Sequence, residues 1–380
     1  MRTLGVEEEL LLVGPESGRA LPVAGGVLDH AARPAGTAGP FSTPLEDEEP
    51  AEKEGVESEF QQQQVEIQTH PCKDLSELHG DLKAVRGRVI QAAREIGARV
   101  AAVGTSPHRV EPLTMPKERF RVIRDMYGIT AREQLSCGLH VHVEVESSAE
   151  GVAVLDRIRP WLPMLLALSG NSPFWQGQDS GYASFRSQVM GRWPASGAYD
   201  LYGSVDTYRR RVDDMVESGV LLDEHMVYFD ARLSSSFPTV EIRSADVCLQ
   251  TQDAVLVAAL GRAMVETAAR EWAYGEEAPA VPTSMLRLAT WKAGRYGLNG
   301  NLLDPRTLRP RPARDALRTT LQHLAPALRE AGDEDFVRDR VEHLLEHGCG
   351  AHRQREVYDR TDDLDQVVAD AVRLTAGEGG

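Results

Sequence analysis

Apolar and polar residues alternate with a period of two in four separate stretches, and each alternation predicts a strand. Residues 3–13 read "TLGVEEELLLV", residues 59–71 "EFQQQQVEIQTHP", residues 137–146 "CGLHVHVEVE" and residues 239–247 "TVEIRSADV". A fifth strand is expected in "VAAVGTSPH", running into a Gly-Thr-Ser-Pro turn. Between these stretches the period changes to 3.6. "DLSELHGDLKAVRGRVIQAAREIGARV" aligns Leu75, Leu78, Leu82, Val85, Val89 and Ala93 on one side and predicts a helix. Further helices are expected around "PKERFRVIRDMYG", over "GVAVLDRIRPWLPMLLALSGNSPFW" with a proline kink, over residues 205–219, and over "QTQDAVLVAALGRAMVETAAREWA". After about residue 280 the pattern is mainly helical, interrupted by "GRYGLNGNLLDP". Glycine and proline break residues 21–44 into short elements and loop, and the acidic run "LEDEEPAEKEGVESE" reads as a solvated turn or hairpin. No internal repeat is visible.

Parity then assigns the polar residues to faces. Glu7 and Glu9 share one face of the first strand, with Glu8 opposite. Glu66 stands between Val65 and Ile67, and Glu59 lies seven residues earlier. His140, His142 and Glu144 oppose Leu139, Val141, Val143 and Val145; Glu241 and Arg243 oppose Val240 and Ile242. One carboxylate on one strand means little, because a solvent-facing residue satisfies the pattern. Four strands with the same design are harder to assign to solvent, which is more simply met by Thr, Lys or Gln. Five glutamates gathered on one sheet face would repel each other unless cations neutralised them. Carboxylates with one imidazole suit Mg²⁺ or Mn²⁺, which bridge protein acids and nucleotide phosphates. Arg243 would then face a transferring phosphoryl group.

The whole chain narrows the classes. A length of 380 residues, 42% hydrophobic and 26% charged, is ordinary for a globular protein. A net charge of −16 disfavours a nucleic-acid backbone or an anionic membrane as partner. Cys72, Cys137, Cys248 and Cys349 form no C-x-x-C pair, which suggests free thiols in a reducing compartment. Glu7 interrupts the N-terminal apolar residues, and no stretch approaches the roughly 18 apolar residues of a membrane span. The expectation is a soluble, cytoplasmic protein.

"LGVEEEL", "QVEIQT", "GTSPH", "HVHVEV", "SFPTVEIRSADV" and "RYGLNG" occur in the order and spacing of the type 2 glutamate–cysteine ligases, also called carboxylate–amine ligases. The resemblance covers nearly the whole chain, and the E-x-E, H-x-H and E-x-R strands are similar to the wider glutamine synthetase superfamily. It implies an α+β fold: one catalytic domain over 1–380 with an antiparallel sheet curved into a saddle, helices on its convex face and a helical C-terminal part. It also implies ATP with Mg²⁺ or Mn²⁺, and small-molecule carboxylate and amine substrates; a homo-oligomer is compatible with it. Carried over by motif, Glu7, Glu9, Glu66, His140 and Glu241 resemble metal ligands, and Arg243 resembles the arginine on ATP phosphate. Glu59 matches an acidic position upstream of Glu66. His142 is expected to contact the nucleotide or to support the metal ligands from behind, and Arg186 in "YASFRSQ" and Arg295 with Tyr296 in "GRYGLNG" fall on family motifs. The chain departs from the pattern in a longer acidic insertion before Glu59, and in Cys137 and Gly138 ahead of the H-x-H strand.

The expected reaction is ATP-dependent ligation through an acyl phosphate with release of ADP. A metal-dependent hydrolase built on the H-x-H strand is a rival, disfavoured because the other strands supply glutamate instead of further histidines. A non-catalytic member of the fold is a second rival, disfavoured because every proposed ligand is present.

Overall fold

The structure is a computed structural model that describes residues 1–32 and 55–378. Most of the acidic run at 45–59, and part of the Gly/Pro-broken segment before it, lie outside the described residues. The central sheet contains β1 (Leu4–Val13), β2 (Val56–Ser58), β3 (Gln64–Gln68), β4 (Arg99–Ala101), β5 (Gly138–Glu144), β6 (Ala231–Leu233) and β7 (Thr239–Asp246). Its order is β6–β7–β5–β1–β3–β2, with β4 also pairing to β1, and every pairing is antiparallel.

Two expectations change in detail. The single strand expected over 59–71 is the second arm of a hairpin: Val56–Ser58 pairs with Val65–Ile67, and Glu59 begins the connection. Gln61 and Gln63 are buried in that connection, where their side-chain amides donate to the Ala131 and Glu111 carbonyls. The proline-kinked helix is two helices, Ser148–Ile158 and Leu162–Ser169, separated at Pro160 and Trp161. Pro160 cannot continue the amide ladder, and Pro163 sits in the first turn of the second helix, where its missing N–H costs nothing.

The apolar face of the sheet is covered by helices. In Leu75–Glu95 the side chains of Leu78, Leu82, Val85, Val89 and Ala93 are all buried. The helix starts where the Asp74 carboxylate accepts the Glu77 amide at 2.8 Å. Thr251–Ala273 is apolar around most of its circumference because it runs between the sheet and other helices. Glu8, on the core side of β1, is buried against Arg86 of the 75–95 helix, with Nε–Oε2 and Nη2–Oε1 distances of 2.6 and 2.7 Å. Arg86 also donates to the Cys248 and Leu249 carbonyls, so each nitrogen of the buried guanidinium has a partner. From Thr283 onward the described chain is mainly helical, as expected, apart from the small hairpin Asn301–Leu303 and Pro310–Pro312. The four cysteines are buried free thiols. No described helix is long and apolar enough to cross a membrane.

Candidate active site

Strand register decides which side chains meet on the uncovered face, because residues directly opposite in an antiparallel pair point the same way. Across the sheet, Arg232 lies opposite Glu241, which lies opposite His142. In the next row His140 lies opposite Glu7, which lies opposite Gln68. In the third row Glu9 lies opposite Glu66, which lies opposite Glu57. Between β7 and β5 the pairing passes from Ile242–Val141 to Ala245–Leu139. Arg243 and Ser244 therefore share the place of one residue opposite His140, a β-bulge of the kind that re-aims a side chain.

These residues form the floor of a cavity of about 510 Å³. All five expected metal ligands line it, as do Glu59, His142, Arg186 and Arg243. Among the described residues, three groups offer ligand atoms within 4.8 Å of one another: Glu7, Glu66 and His140; Glu7, His142 and Glu241; and Glu9, Glu59 and Glu66. Glu7 and Glu66 each belong to two groups, so the three form one continuous acidic floor.

The electrostatics of this floor are uneven. Burial opposes ionisation of Glu7, but contacts of 3.1 Å to His140 Nδ1 and to His142 Nε2 hold its carboxyl well below the usual range. Burial also opposes ionisation of Glu241, yet Arg243 and Arg232 bring it down to about 2. Arg232 reaches both Glu241 oxygens, at 2.7 and 3.3 Å, and Arg243 donates to Oε1. Glu66 is pushed well above the ordinary range by burial and then by Glu7, Glu59 and Glu9. Glu59 is pushed up to about 7 by burial and by Glu9, against the pull of the Phe60 amide, Arg243 and Lys117.

The residues fit a divalent cation. A floor with Glu59 and Glu66 held towards protonation is short of positive charge, and the buried Nε2 of His140 has no hydrogen-bond partner. Carboxylate oxygens with a minority of imidazole suit a hard ion such as Mg²⁺ or Mn²⁺.

Other expected residues lie elsewhere. Glu144 ends β5 outside the cavity, accepting from the Thr3 amide and hydroxyl at 3.0 and 2.9 Å. Arg295 and Tyr296 do not line the cavity either. They end the helix Thr283–Tyr296, which packs on the Ser184–Ser187 segment, and the Arg295 guanidinium lies 5.3 Å from both the Tyr182 and Tyr296 rings. Conversely, Arg232 was not anticipated, because only strand pairing places it beside Glu241. The aromatic wall of Phe60, Phe120, Trp193 and Tyr228 was not anticipated either. Its members come from four separate segments, and no local period links them.

The chain matches the family model described as glutamate-cysteine ligase family 2 over residues 3–373. A Streptomyces avermitilis protein named "Putative glutamate--cysteine ligase 2-1" is 48% identical over 377 residues, covering 99% of this chain and 100% of that protein. A Streptomyces coelicolor relative, with a name of the same form, is 48% identical over 375 residues, with 99% of each covered. Among solved structures, a glutamate–cysteine ligase from Francisella tularensis in complex with AMP superposes with a TM-score of 0.69 at 13% identity, covering 99% of this chain and 88% of that one. A bifunctional glutathione synthetase from Pasteurella multocida gives 0.70 at 14% identity, covering 99% and 52%. At these identities the structural likeness speaks for the fold alone, whereas the family match and the close relatives extend over essentially the full length. The chain, with its E-x-E, H-x-H and E-x-R strands joined on one sheet face, belongs to glutamate–cysteine ligase family 2 and is an ATP-dependent ligase of that type.

Proposed function

We propose that this ligase joins the γ-carboxylate of glutamate to the amino group of cysteine, through a γ-glutamyl phosphate, releasing ADP and inorganic phosphate. The observation that supports the reading most directly is the acidic floor: three overlapping ligand groups with Arg243 set among them on the bulge. In this reading Glu7, Glu9, Glu66, His140 and Glu241 hold Mg²⁺ or Mn²⁺, with His142 beside Glu7 and Glu241. The bound ions supply charge neutralisation for the β- and γ-phosphates.

The remaining steps belong to the chain's own side chains. Arg243 is fixed by Glu241 and lies 3.5 Å from His140 Nδ1. Its planar guanidinium is thereby positioned to receive the charge that develops on the transferring phosphoryl group. The glutamate carboxylate attacks the γ-phosphorus, and the P–O bond to ADP breaks. The cysteine amine then attacks the acyl carbon, phosphate leaves, and the ammonium proton must go to a base. Glu59, which lines the same cavity, is the carboxylate assigned to that transfer. The aromatic wall shields one side of the cavity from water, which otherwise hydrolyses an acyl phosphate.

The test uses glutamate labelled with ¹⁸O in its side-chain carboxylate, together with cysteine, ATP and Mg²⁺. One label is expected in the inorganic phosphate formed alongside the amide. Pyrophosphate as a product, or label in AMP, would overturn the mechanism. A screen of amino-acid pairs for ADP release checks the substrate assignment.

A further inference from the structure

A second cluster of metal-ligating side chains lies outside the cavity, on the helix Glu334–His347. The inner face of this helix buries Val337, Val341 and Leu344. Arg340 fastens it to the start of the Thr251–Ala273 helix, donating to Asp253 Oδ1 and Gln250 Oε1, both at 2.6 Å. The outer face ends in "HLLEH", where His343, Glu346 and His347 stand at i, i+3 and i+4 and so share one side of the last turn. All three are exposed.

The two imidazole rings stack with their centroids 4.4 Å apart and 23° between their planes. His347 Nδ1 lies 3.0 Å from the His343 carbonyl oxygen, which only accepts, so Nδ1 carries the hydrogen. In the neutral ring the lone pair is then on Nε2, which is the tautomer that a helix carbonyl fixes in metal-bound histidines. The His343 ring makes no hydrogen bond, and the Glu346 carboxylate makes neither a hydrogen bond nor an ion pair. A cationic histidine in a last turn is favoured by the helix dipole, but two charged rings at this separation would repel. A cation shared between neutral rings satisfies both conditions at once.

We infer that His343 and His347 form a clamp for a borderline transition cation such as Zn²⁺, Ni²⁺ or Cu²⁺, with Glu346 balancing its charge and water filling the remaining positions. Two histidines one turn apart on a helix are the spacing through which zinc enzymes hold their metal. Imidazole suits these ions, whereas Mg²⁺ and Mn²⁺ are drawn to carboxylates. The clamp and the acidic floor therefore sort ions by ligand chemistry and can be filled together.

The test uses untagged full-length protein stripped with EDTA and then titrated with Zn²⁺ by calorimetry in saturating Mg²⁺ and ADP. One Zn²⁺ per chain should bind at the clamp. His343→Asn and His347→Asn should each weaken that binding by about a hundredfold, the advantage of joining two ligands in one turn. Melting in EDTA and ADP release with Mg²⁺ should stay at the wild-type values in both variants, which separates loss of a ligand from loss of the fold. Cu²⁺ bound to the wild type should show electron-paramagnetic coupling to two imidazole nitrogens, a readout that needs no variant. Zn²⁺ binding that neither substitution weakens, or that Mg²⁺ competes away, would place the ion on the acidic floor and overturn the inference. Cu²⁺ coupled to a single nitrogen, or a wild type that binds no Zn²⁺ under these conditions, would overturn it as well.

Discussion

The acidic floor should make the metal-free protein lose stability as pH rises, and Glu59→Gln should remove much of that loss. The Glu59 carboxyl moves from 4.5 to about 7 on folding, mainly through burial and then through Glu9. A group with a raised folded value keeps its proton in the native state while the unfolded chain releases its own. Stability is therefore intact below pH 4.5, falls between pH 4.5 and about 7, and levels off above that. At 1.36 kcal/mol for each tenfold change, the loss assigned to Glu59 is about 3 kcal/mol. Glutamine has nearly the same shape and no charge to bury.

The measurement is urea denaturation in EDTA at pH 5 and pH 8, for wild type and Glu59→Gln. The variant should be more stable than wild type by about 3 kcal/mol at pH 8 and by only about 1 kcal/mol at pH 5. Saturating Mg²⁺ should then stabilise the wild type by about 2.7 kcal/mol at a hundred times its dissociation constant, and the variant by less. A variant that is less stable at pH 8, or that differs from wild type equally at both pH values, would refute the reasoning. The first result would mean that the fold stabilises Glu59 in its charged form, and the second that its carboxyl does not shift on folding.

Arg243→Lys should retain ATP binding but lose turnover on the order of a hundredfold, because lysine keeps the charge and cannot present a planar fork; wild-type kcat in steady-state assays would remove Arg243 from the mechanism. Glu8→Gln should cost about 3–5 kcal/mol in urea denaturation, since it leaves the buried Arg86 guanidinium without its counter-charge; a loss below about 1 kcal/mol would show that the carbonyls of Cys248 and Leu249 suffice.

The faces of the strands were legible because the side-chain period of a strand is two and needs no tertiary information. Glu7, Glu9, Glu66, His140, His142 and Glu241 all reach the cavity on the side that parity assigns. The partners of those residues were not legible. Arg232 belongs to a three-residue strand with too few positions to show a period, and Phe120 and Trp193 reach the site from segments with no strand pattern. Parity also failed at a strand end: Glu144 shares the phase of His140 and His142, but β5 stops there and its carboxylate turns to Thr3.

The bulge at Arg243 and Ser244 shows why the rest of the site could not be read from alternation alone. An unbroken strand with Glu241 and Arg243 on the site face would put Ala245 and Val247 there too, and would send Asp246 into the apolar core. The extra residue reverses the phase. Ala245 and Val247 are buried in the core, and Asp246 pairs in register with Gly138, in the row that continues to Glu9. That reversal brings Asp246 beneath Arg186, where it gathers Asn171, Ser172 and Ser184 into a fixed base. One inserted residue thus does two things: it aims Arg243 at His140, and it supplies the buried acid on which the second arginine of the cavity is mounted. Periodicity cannot announce such an insertion, because "TVEIRSADV" alternates acceptably in either phase and the choice is made by the strand beside it.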